Sequence, residues 1–155
     1  QFDANGNMVN WWTPQDAEEF AKLTQGLVGQ FDEIEVLPGL HANGQYTLGE
    51  NIADQGGLRV ARTAFLDSQK KKGVDVKSEA AKIDGFDPMQ VFYMNFANLW
   101  AQNIRDEEIR SLTSGDVHSL GNNPTKATLV TAAETAGIKE GDKMFRPEAE
   151  RVIIW

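Results

Sequence analysis

The sequence predicts a mainly α chain folded as one domain, and three observations carry that prediction. The chain has 155 residues, enough for one domain with a real core. Its apolar residues recur at helical spacing in several stretches, and two of these open on a capping residue followed by proline, Thr13-Pro14 and Asp87-Pro88. No internal repeat, low-complexity segment or composition shift divides it, so residues 1–155 read as a single domain.

The elements follow in order. "FDANGNMVNWW" is turn-rich, with Asn5-Gly6 as its strongest turn signal. Thr13 can cap a helix with Pro14 at its first position and Asp16 at its third, as in a capping box. That helix should run to about Gln30 with Phe20, Leu23 and Leu27 on one face. "VLPGLHANGQYT" holds two turn signals, Pro38-Gly39 and Asn43-Gly44, and predicts a loop or short hairpin. A second helix starts near Thr47 and reaches about Ser68, with Leu58, Ala61, Ala64 and Phe65 as its apolar face. A polar connection leads to a third helix over "PMQVFYMNFANLWAQN". Apolar residues surround that stretch almost completely, so it is expected to be the central core helix. "DEEIRSL" forms a short amphipathic helix, and the remaining tail is mostly loop with a weak helix near "TLVTAAETA".

Composition excludes several functions. The net charge is -8, from 15 Lys+Arg against 23 Asp+Glu. Nucleic acid and anionic membranes are poor partners for such a chain, because phosphate binding needs clustered positive charge. The one basic cluster, Lys70-Lys71-Lys72 beside Gly73, reads as a solvated helix end. With no cysteine there is no disulfide, thiol nucleophile or thiolate metal site. No run approaches the roughly 18 apolar residues of a membrane span. The start, Gln1-Phe2-Asp3, has neither an initiating Met nor the features of a signal peptide, so a processed product or a fragment is expected.

Chemistry concentrates in two places. In "LGENIADQGG", Glu50 and Asp54 are four residues apart and return to nearly the same helix face. Like charges so placed repel by a few tenths of a kcal/mol. A shared cation would remove the repulsion, with Glu50 binding a divalent metal and Asp54 holding a ligating imidazole from the outer shell. The plain alternative is an acidic helix start favoured by the helix dipole. Of the two histidines, His41 lies in a turn, where it can serve the turn alone. His118 lies in "GDVHSLG", two residues after Asp116, which can orient its ring for acid–base or electrophilic work. It too could simply stabilise its own loop. His41, His118 and Glu50 could in principle form a His2Glu zinc set, although their spacing does not argue for it. HExxH, GxSxG and a phosphate-binding loop are absent, and Ser119 beside His118 is not a triad. The residues alone offer half a site.

"YTLGENIADQGGL" resembles a hallmark of the neprilysin/endothelin-converting enzyme family of zinc endopeptidases. The resemblance continues in order along almost the whole chain. "FDANGNMVNWWT" is similar to the segment that follows the family's zinc-binding helix. "VFYMNFANLWAQNIRDEEIRSLTSGDVHSLG" is similar to its core helix and catalytic-histidine loop, and "KEGDKMFRPEAERVIIW" to its C-terminal end. The resemblance implies the C-terminal helical part of a thermolysin-like (gluzincin) metallopeptidase catalytic domain.

It further implies roles. Glu50 matches the third zinc ligand, and Asp54 the carboxylate that orients a ligating histidine. His118 matches the histidine that stabilises the oxyanion, with Asp116 as its orienting partner. Trp100 matches an aromatic residue at the floor of the pocket for the side chain after the scissile bond. The family's HExxH helix, expected upstream of Gln1, and its Asn-Ala substrate-binding strand are not in this chain. With one protein zinc ligand of three, the chain alone is expected to bind zinc weakly and to be inactive. Pro124 stands where the family carries a substrate-binding Arg, and nearby Lys126 cannot reproduce Arg's planar fork. The implied function of the parent protein is zinc-dependent cleavage of internal bonds in oligopeptides. Its implied partners are peptide substrates and the upstream part of the same polypeptide. A non-catalytic peptide-binding module that kept the fold is the alternative. The family usually works outside the cytoplasm, in the periplasm, at the cell surface or secreted, and the absence of cysteine fits a bacterial member better than a disulfide-rich animal one.

Overall fold

A computed structural model describes residues 1–121, 139–142, 145, 147–152 and 154. Pro124, Lys126, the expected helix near "TLVTAAETA" and the terminal Trp155 lie outside the described residues. The chain is mainly helical. Among the described residues four α-helices follow one another, α1 (Pro14–Asp32), α2 (Leu48–Lys71), α3 (Pro88–Leu99) and α4 (Asp106–Gly115). Between α1 and α2 lies an antiparallel hairpin of β1 (Glu35–Leu37) and β2 (Leu40–His41).

Helix starts follow the capping residues. Thr13 Oγ1 accepts from the Asp16 amide at 3.1 Å, and its hydroxyl donates to the Asp16 carboxylate at 2.6 Å. Asp87 Oδ1 accepts from the Met89 and Gln90 amides, both at 2.8 Å, while Gln90 Oε1 accepts from the Asp87 amide at 2.9 Å. That is a complete capping box at α3. The hairpin turns on Pro38-Gly39, with Gly39 at φ +74° and its amide donating to the Glu35 carboxylate at 2.7 Å.

Two apolar clusters meet on α2. Near its start, Ile52 packs with Leu27 and Phe31 of α1, joined by Leu48, Val152 and Ile154. Farther along, Leu58 packs with Met89 and Tyr93 of α3, joined by Phe65, Leu66 and Phe92. The expectation that α3 is the enclosed central helix is therefore corrected. Met89 and Tyr93 are buried, but Met94 and Leu99 on other sides of α3 are exposed. Helix α2 is central because each half of it covers a different neighbour. The expected faces shift as well: Leu23 of α1 is exposed while Thr24 and Val28 are buried, and Ala61 and Ala64 of α2 are exposed. Lys70, Lys71 and Lys72 form the solvated end of α2, as expected.

Candidate functional site

The first turn of α2 carries the site's first half. Thr47 precedes the helix, but its side chain does not cap it. Its hydroxyl donates instead to the Asn43 carbonyl at 2.9 Å and accepts from Asn51 Nδ2 at 3.0 Å. Glu50 falls in this first turn, where the helix dipole favours an anion. Its neighbour Asn51, about 100° further round the helix, is buried at 2% exposure.

The second half is the short segment after α4. The Asp116 carboxylate folds back on that segment, with Oδ1 accepting from the His118 amide at 2.9 Å and from His118 Nδ1 at 2.8 Å. An ionised carboxylate only accepts, so the ring's Nδ1 carries the proton in that bond. The other ring nitrogen, Nε2, lies 3.4 Å from Glu50 Oε2. His118 thus stands between two carboxylates 66 residues apart in the chain (116 minus 50). All three side chains are partly open, His118 at 51% and Glu50 at 46% exposure. An exposed pair of this kind contributes about 0–1 kcal/mol, too little to place the loop by itself.

The remaining predicted residues fall as follows. Asp54 sits one turn beyond Glu50, half-buried and engaged with a neighbour. Trp100 ends α3 as its C-cap and is half-buried. Its carbonyl meets the histidine loop: a Cβ on Gly121 would lie 2.7 Å from it. His41 does not join the site, since its Nδ1 is bonded to the Asp32 carbonyl at 3.0 Å. Among the described residues, no group of three His, Asp or Glu side chains could hold a metal ion. Glu50 fits a metal as one ligand, with reachable carboxylate oxygens, and the described residues do not complete the set. A groove of about 390 Å³ lies elsewhere, lined by Trp11, Trp12, Phe20, Leu23 and Ile154 with Asp16 and Glu19.

Sequence reasoning missed the polar residues behind the site. Ser119 Oγ donates to Asn51 Oδ1 at 2.8 Å in the interior. The available signal was adjacency: Asn51 follows Glu50, and Ser119 follows His118.

The helical scaffold thus brings a carboxylate at a helix start to face an Asp-held imidazole. The sequence profile of peptidase family M13 matches residues 1–152, and the chain belongs to that family. It is 35% identical over 158 residues to a neutral endopeptidase of Lactococcus lactis, covering 100% of this chain and 22% of that protein. It is 39% identical over 137 residues to human neprilysin, covering 86% of this chain and 18% of that protein. The crystal structure of Mycobacterium tuberculosis zinc metalloprotease Zmp1 in complex with an inhibitor superposes with a TM-score of 0.82 at 31% identity. That match covers 99% of this chain and 24% of the other. The fold is the expected one, mainly α and consistent with the helical part of a thermolysin-like (gluzincin) metallopeptidase. The chain spans under a quarter of the length of these relatives.

Proposed function

We propose that the chain is the C-terminal part of the catalytic domain of a zinc-dependent endopeptidase that cleaves internal bonds of oligopeptides. The observation that carries this reading is the His118 ring, bonded to Asp116 at 2.8 Å and facing Glu50 at 3.4 Å. Membership of peptidase family M13 and likeness to a neutral endopeptidase, to neprilysin and to a zinc metalloprotease support it.

Glu50 would hold zinc together with ligands from elsewhere in the polypeptide, carboxylate oxygen being an ordinary zinc donor. Zinc there would supply Lewis-acid polarisation of the scissile carbonyl and lower the pKa of a water. Asp54 would accept the outer N–H of a ligating imidazole and fix its orientation. Asp116 keeps a proton on His118 Nδ1 and sets the plane of the ring. With Nε2 also protonated, that N–H can donate to the substrate oxygen as negative charge develops on it. Loss of one such donor costs about 10²–10³ in kcat. Trp100 would close the floor of the pocket for the side chain after the scissile bond. By the same reading the protein works outside the cytoplasm, in the periplasm, at the surface or secreted. The 155-residue chain by itself should not hydrolyse peptides.

Glu50→Ala in the full-length protein tests the reading. Bound zinc and peptide hydrolysis should both collapse. Hydrolysis at the wild-type rate would overturn the assignment. A wild-type protein that binds peptides, leaves them intact and keeps that binding after the substitution would instead be a non-catalytic module.

A further inference from the structure

The exposed Glu50–His118 pair has a buried counterpart directly behind it. Asn51 follows Glu50 on α2, and Ser119 follows His118 on the loop. Asn51 is 2% exposed and Ser119 4%. Their side chains meet at 2.8 Å, while the outer pair stands at 3.4 Å. The two pairs run side by side, one open to water and one closed to it. Only the inner one is short and shielded enough to fix how the loop lies against the helix.

The inner pair belongs to a directed chain of bonds. The Ser119 hydroxyl donates to Asn51 Oδ1, Asn51 Nδ2 donates to Thr47 Oγ1, and the Thr47 hydroxyl donates to the Asn43 carbonyl. Asn43 Oδ1 accepts from the Tyr46 amide at 2.8 Å, and the Tyr46 hydroxyl reaches the Gly115 carbonyl at 3.3 Å. These bonds therefore hold the chain at Ser119 and at Gly115, the last residue of α4, on either side of Asp116 and His118. Each donor has one matching acceptor, so the Asn51 amide has one satisfied orientation. Gly121 closes the other side, because its backbone rests against the Trp100 carbonyl where a Cβ would be only 2.7 Å away.

We propose that Asn51 and Ser119 are positioning residues: their buried hydrogen bond sets the His118 ring at Glu50. Neither needs to touch substrate, and both act through His118. The kinetic part of this inference rests on the peptidase reading above. Its geometric part does not.

The test uses the full-length, zinc-loaded protein with Ser119→Ala and Ser119→Thr. Ser119→Ala should lower kcat about 10- to 100-fold, as a displaced catalytic group does, with KM changed less than about twofold. Ser119→Thr keeps the hydroxyl and should restore most of the rate. In a His118→Ala background, Ser119→Ala should cost nothing further, because the group it positions is gone. An equal loss in both backgrounds, or no loss in either, overturns the inference. Crystal structures of the wild type and Ser119→Ala give the second readout. The Glu50–His118 separation should widen beyond hydrogen-bonding reach in the variant, and an unchanged separation overturns the inference even if the protein hydrolyses nothing. Should Ser119→Ala fail to fold, Ser119→Cys replaces it. The thiol is near the hydroxyl in size and a weak donor, so kcat should fall in the wild-type background and not in His118→Ala, and an equal loss in both backgrounds or no loss in either overturns the inference.

Discussion

At Asp3 one carboxylate holds a whole turn. Its Oδ1 accepts from the Asn5 and Asn7 amides, both at 2.9 Å, and its Oδ2 from the Asn7 side chain at 3.0 Å. Those bonds, the Asn7 side chain foremost, hold its pKa below the ordinary value of 3.8. A depressed folded pKa means the turn's stabilisation is fully present above that ordinary value. It is lost as pH falls through the lower folded one. The Asn5 and Asn7 amide resonances should therefore stay constant from neutral pH to about pH 5 and move together only in strong acid. Amide shifts that drift together near pH 6 would contradict this. Legibility differs between residues of the site. Glu50, Asp116 and His118 were found because their residue types and order match a known pattern. Asn51 and Ser119 were not, since a lone Asn or Ser is common on any surface and only burial gives it meaning.

Elements were legible where local chemistry decides them. Thr13-Pro14 and Asp87-Pro88 mark the true starts of α1 and α3 because a cap is satisfied by the next three residues. Ends were less legible. The third helix, expected to continue through Asn103, stops at Leu99, and the fourth extends to Gly115 rather than Leu112. Nothing local in those stretches enforces a stop. The turn that leads into α2 depends on a close approach instead. Gly44 donates its amide to the Asp32 carboxylate at 2.7 Å and leaves no room for a side chain. A Cβ there would sit 2.1 Å from the Val28 carbonyl. Gly44→Ala must push the turn off α1 and should cost about 1–3 kcal/mol, the range for overpacking. It should also disturb the Asn43–Thr47 bonds behind the site. A denaturation midpoint equal to wild type would disprove the collision.

Across the whole molecule, α2 links the two cores and presents Glu50 at its start. Phe31 is a large, almost fully buried side chain in the core beneath that start, beside Leu27 and Ile52. Phe31→Ala should cost about 3–5 kcal/mol in chemical unfolding and loosen the seat of α2. A loss below about 1 kcal/mol would mean that this core does not hold the helix. The sequence by itself determined the mainly helical class, the capped helix starts, the turn at Pro38-Gly39 and the residues of the polar constellation. Caps, turns and periodicity act over a few residues, so they can be read from a string. The tertiary structure alone decided that α2 rather than α3 is central, that His41 lies in β2 and bonds the last residue of α1, and that Asn51 bonds Ser119 behind the Glu50–His118 pair. Those outcomes depend on which surfaces exclude water together, and residues 68 apart in the chain meet only once the helices have packed.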